Sequence, residues 1–140
     1  MKTTRMNLMI ATAFLALATG VASAQALQAE IPFAFRVGSK VMAPGTYQVK
    51  LANSSQYVVV LSNYQSKDAA IVVASGQSDP SKDWKASGAP MLTFECGISR
   101  CELSRLWTGA AAPALNFPHR GIGRDERASV TEIRLVKAAE

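Results

Sequence analysis

Hydrophobic and polar residues alternate with a period of two along most of the chain beyond residue 30. In EIPFAFRVG, residues 30–38, Ile31, Phe33, Phe35 and Val37 fall on one side and Ala34 and Arg36 on the other. That is the alternation of a half-buried strand. Gly38-Ser39-Lys40 predicts a turn, Val41-Met42 a return, and Ala43-Pro44-Gly45 a tight turn in which proline pre-sets φ and glycine accepts a positive one. TYQVKL then places Tyr47, Val49 and Leu51 inward and Thr46, Gln48 and Lys50 outward. QYVVVLSN, with Tyr57 to Val60 β-branched or aromatic, predicts a central strand or one covered on both faces. AAIVVAS predicts another over Ala69 to Ala74.

Residues 76–90 and 108–127 interrupt this pattern. Both are rich in Gly, Pro, Ser and Asp or in scattered glycines and prolines, and both predict long loops. Between them MLTFEC alternates Leu92, Phe94 and Cys96 against Thr93 and Glu95, and CELSRLW follows. The final element, ASVTEIRLVKA, carries Val130, Thr131, Ile133 and Val136, which favour a strand although a helix over part of 124–137 is the competing reading. About seven to eight short strands separated by turns predict an all-β domain, either an antiparallel sandwich or a small barrel.

The first residues belong to a different class of segment. Lys2 and Arg5 precede an apolar stretch, Leu8 to Val21, and Ala22-Ser23-Ala24 follows it. The stretch is about 14 residues, short of the roughly 20 needed to span a bilayer, and its small-residue exit predicts a secretory signal peptide, residues 1–24, cleaved before Gln25. The remaining 25–140 then form one β-domain with a net charge of +3. Its basic residues are scattered, without the concentrated face of a nucleic-acid binder, and no later segment is long and apolar enough to span a membrane. The expected location is secreted, periplasmic or extracellular.

PFAFRVGSKVMAPGTYQV, together with MLTFECGISRCELSRLW, resembles a group of small secreted bacterial proteins with an apolar-Pro-Phe-x-Phe-x-Val-Gly strand, a Gly-Thr-Tyr turn and a later Leu-Ser-x-hydrophobic-Trp strand. The resemblance implies secretion and an all-β fold. It implies no activity, and the group's pattern has no cysteines in the hairpin that carries Cys96 and Cys101 here.

Those are the only two cysteines. If 97–100 is a four-residue hairpin loop, they oppose each other on the inward side, at a spacing close to that of a disulfide, and an oxidising compartment would keep them bridged. Free thiols or a redox or metal pair are the alternatives. A catalytic dithiol is more often Cys-x-x-Cys at a helix N-terminus, and zinc needs three or four ligands where His119 is the only histidine. No Gly-x-Ser-x-Gly elbow is present, and no cofactor is expected. Glu95 and Glu102 flank the cysteines on the outer face, the arrangement a retaining glycosidase would need in a cleft but also the ordinary solvent face of a sheet.

The leading expectation is therefore a non-enzymatic domain that binds an extracytoplasmic protein or polysaccharide through its two long loops. Candidate contacts are Trp84, His119, Arg120 and Arg124, with Trp84 either exposed for stacking or folded back as a lid over the sheet edge. A small hydrolase pairing His119 with a carboxylate such as Asp125 is the alternative. A third is a structural envelope protein that self-associates through an unpaired apolar edge strand.

Overall fold

A computed structural model of the protein describes residues 26–52, 55–119 and 128–138. In chain order the elements are β1 (Leu27–Ile31), β2 (Phe35–Val37), β3 (Lys40–Met42), β4 (Gly45–Leu51), β5 (Val58–Asn63), β6 (Ala69–Val73) and β7 (Gly76–Ser78). They continue with α1 (Lys82–Ser87), β8 (Met91–Cys96), β9 (Cys101–Trp107), β10 (Ala114–Asn116), β11 (Ser129–Arg134) and β12 (Val136–Lys137). The expected signal peptide, Arg120, Arg124 and Asp125 lie outside the described residues.

The strands form two sheets that do not close into a barrel. One has the order β12-β1-β4-β5-β6, and the other β11-β8-β9-β10-β7, with the β2–β3 hairpin joined to β9 through β2. Neighbours are antiparallel except β2 and β9, which meet in parallel at Arg36 and Glu102. Both sheets turn their apolar sides to one core. Tyr47, Val49, Val59 and Leu61 come from the first sheet, and Phe35, Leu92, Phe94 and Leu106 from the second. Phe35 sets its ring edge-to-face against both Tyr47 and Phe94, with centroids 5.2 and 5.1 Å apart. Each such side chain contributes about 1.5–3 kcal/mol by leaving water.

The expected strand over residues 31–37 is two strands in different sheets. Pro32 has no N–H to donate to a ladder, and the chain leaves β1 there and re-enters at Phe35 in the opposite sheet. The period of two survives the crossing: Ile31, Phe35 and Val37 are buried and Phe33 packs against the core. Alternation reports which face a residue turns to the core, not which neighbour its backbone pairs with. Such divisions, and the short strands β7 and β10 inside the two expected loops, raise the strand number above the seven or eight anticipated. From Ser129 onward the last element is strand, with Leu135 buried between β11 and β12, and residues 124–127 lie outside the described residues.

Residues 76–90 are a second departure. They hold a strand and a short helix whose ends are written in the sequence. The Ser81 side chain accepts from the Trp84 N–H as N-cap, and Gly88 takes φ 66° at the C-terminal end, its N–H donating to the Trp84 carbonyl.

Candidate functional site

The β8–β9 hairpin is held as expected at its tip. Cys96 and Cys101 face each other in register and form a disulfide, with Cα atoms 4.0 Å apart. Gly97 N–H donates to the Arg100 carbonyl across the four-residue loop. Cys96 packs into the main core, so the pair is a fastener inside the fold, and both sulfurs are committed to it.

One residue pair nearer the base, Glu95 and Glu102 also oppose each other. Their environments differ. The Glu95 side chain is 28% exposed and Glu102 only 5%, so Glu102 is not the solvent-facing residue that alternation anticipates. Its burial follows from the parallel approach of β2, with Arg36 level with it, and from the segment after β10 that brings Pro118 and His119 alongside. Arg100 Nε lies 3.9 Å from Glu102 Oε1, an ion pair too long to be a hydrogen bond. Among the described residues, the buried Oε2 atom has no hydrogen-bond partner. A desolvated carboxylate oxygen left in this state is costly.

His119 closes the same region. One ring nitrogen, Nδ1, lies 2.9 Å from the Phe117 carbonyl oxygen and the other, Nε2, 2.7 Å from Glu95 Oε2. A carbonyl only accepts, so Nδ1 carries a proton, and Nε2 donates to Glu95 when the ring is an imidazolium. Partial burial pulls the His119 pKa down. The bond to Phe117, the bond to Glu95 and the charges of Glu95 and Glu102 outweigh it, and the pKa rises above its ordinary 6.5. With both nitrogens engaged, none is left to take a proton from a nucleophile, which is what a hydrolytic general base must do. Among the described residues, Glu95 is the carboxylate at this histidine.

Arg36, Gly38, Ser39, Glu102, Pro118 and His119 line a cleft of about 410 Å³. Among the described residues no group of three His, Cys, Asp or Glu side chains is placed to hold a metal ion. No helix among them is long and apolar enough to cross a membrane.

The structure separates Trp84 from this cleft and removes it from the surface. Its indole is 3% exposed and lies near-parallel to Trp107, with centroids 6.3 Å apart. The ring N–H donates to Glu132 at 3.0 Å, and the Arg105 guanidinium sits 4.7 Å from the ring centroid. Arg105 is itself held by Asn116, Ser78 and the Asp79 carbonyl. Trp84 is the lid of a small second cluster with Met91, Trp107 and Ala114, and stacking on a partner is corrected to packing on the sheet. Of the four candidate contacts, His119 alone is described at the cleft. Glu102 was not among them, because strand parity cannot show that a third element covers an outward residue.

Compared with known proteins, the chain matches no family model, no curated protein and no solved structure. Its fold and hairpin define a two-sheet all-β protein with an intrachain disulfide.

Proposed function

We propose that the protein is a secreted, non-enzymatic β-domain that binds an extracytoplasmic protein through the Glu102–His119 cleft, taking up a lysine or arginine side chain of the partner. The observation that carries this reading is the buried Glu102 Oε2 without a hydrogen-bond partner among the described residues, in a side chain that lines an open cleft. A cationic donor entering the cleft far enough to reach this covered oxygen would satisfy it and offset its desolvation. Polysaccharide is the weaker ligand here, since sugar sites commonly offer a Trp, Tyr or Phe ring for stacking, and none lines this cleft among the described residues. The apolar leader over residues 8–21 and the disulfide support an oxidising, extracytoplasmic setting.

The test is an NMR titration of the ¹⁵N-labelled secreted protein with arginine amide, lysine amide and chitobiose. Saturable shifts of the Arg36, Gly38, Ser39 and Glu102 amides with the two cations, lost in Glu102→Gln, support the reading. Shifts with chitobiose alone, or none at these amides, overturn it.

A further inference from the structure

The outer strand β6 has a bare edge whose limits can be read from its pairing with β5. The Asn63 N–H donates to the Asp68 carbonyl, and the Ala74 N–H to the Tyr57 carbonyl. These bonds bracket the ladder in which Leu61 opposes Ala70 and Val59 opposes Val72. Antiparallel pairs alternate between bonded and non-bonded, so Ala70 and Val72 bond to β5. Ala69, Ile71 and Val73 therefore direct their N–H and C=O groups away from the sheet.

Both ends of that edge are occupied. The Ala69 carbonyl accepts from Lys40 Nζ at 2.6 Å and its N–H donates to Asp68 Oδ1, while Lys40 and Asp68 pair at 2.7 Å. At the far end the Ser75 N–H donates to the Asn116 carbonyl of β10. Among the described residues, the groups of Ile71 and Val73 remain without partners on this side. Their side chains are also the exposed ones of the strand, 70% and 56%.

The other outer strands are blunted. β12 is two residues long, β7 three, β3 three with Lys40 among them, and β11 carries Glu132 and Arg134. Shortness and charge are the usual protections of a sheet edge. β6, Ala-Ala-Ile-Val-Val, has neither charge nor proline.

We propose that β6 is a docking edge for a second copy of this chain, the two strands pairing antiparallel with Val72 on the two-fold axis. The open window holds two residues two positions apart. In this register Ile71 of each copy faces Val73 of the other, and all four open groups of each copy are satisfied without releasing the Lys40 clamp. A register centred on Ile71 sets Val73 against the clamped Ala69. Charge favours the same arrangement. The paired residues 71–73 carry no charge, and Lys67 and Asp68 run out beside the uncharged Gln77 and Gly76 of the other copy. The contact, three residues of β6 from each copy, falls short of the roughly 1,200 Å² of a standard specific interface, so the dimer is weak, with Kd on the order of 100 µM.

Sedimentation of the secreted protein from 10 µM to 1 mM tests this, with Ile71→Pro and Ile71→Lys as variants. The Ile71 N–H points away from β5, so proline there leaves the ladder inside the monomer complete. Val136→Lys, at an exposed position of β12, is the control. The expected result is a mass that climbs towards twice the monomer for the wild type and the control, and stays monomeric for both Ile71 variants with unchanged circular dichroism. Should Ile71→Pro alone misfold, Ile71→Lys decides. A wild type that is monomeric at 1 mM, or folded Ile71 variants that dimerise like it, overturns the proposal.

Discussion

Replacing Trp84 by alanine measures how much of the fold rests on the outer face of the second sheet. A tryptophan side chain covers about 150–250 Å², and this one is 3% exposed. At about 25 cal/mol per Å² that burial is worth up to roughly 4–6 kcal/mol, an upper bound because the unfolded chain also hides part of it. Alanine keeps a fraction of the area, and the six-residue helix can settle into the space. Glu132 is exposed and regains water once the indole N–H is gone. The net expectation is about 3 kcal/mol lost, the lower end of the usual range for large-to-small aromatic changes. Trp84→Phe keeps most of the packing and loses the bond to Glu132, for about 1 kcal/mol. Urea unfolding followed by circular dichroism, with Trp107 as the remaining fluorophore, reads both. A shift under 1 kcal/mol for Trp84→Ala refutes the reasoning. So does a separate early transition that leaves the main midpoint in place, since α1 would then detach without the sheets.

Other features give sharper single outcomes. Cys96→Ala with Cys101→Ala opens a ring of six residues and is expected to cost about 2 kcal/mol by loop-closure entropy, read as a lower urea midpoint. Gly45→Ala would bring a Cβ to 2.9 Å from Asn63 Nδ2. Asn63 is buried, and its Oδ1 accepts from the Gln65 and Ser66 N–H groups, so the clash is expected to cost about 1–3 kcal/mol, measured the same way. For His119 the native pKa lies above 6.5. Its stabilisation is therefore complete below about pH 6.5 and is lost as pH rises through the native value, by under about 1 kcal/mol for so exposed a pair. The imidazole proton shift should titrate above 6.5 in the native protein and move back in Glu95→Gln; a native midpoint at or below 6.5 contradicts this.

Strand parity was legible wherever one side of a strand meets the core. Ile31, Phe35, Val37, Tyr47 and Val49 are all buried as the alternation requires, and the cysteine register followed from the same counting. What parity could not carry was any decision made by a third element. Pro32 moves the chain between sheets without disturbing the pattern. The second loop doubles back beside β9 and turns Glu102 from a surface residue into a buried one. The helix over Lys82–Ser87 had its signals, Ser81 and Gly88 with six residues between them, but its composition is that of a loop, and it is the packing of Trp84 on the second sheet that holds so short a helix.

The pairing of β12 with β1 bears on timing. Leu27 and Gln28 face Lys137 and Val136, and the Ala138 N–H donates to the Ala26 carbonyl. The earliest strand described thus waits for the latest before both its sides are bonded. A chain emerging N-terminus first, from a ribosome or through a membrane channel, cannot finish this sheet until about 110 residues more have followed. The β1–β12 seam is therefore among the last backbone pairings of the described residues to form in such a chain.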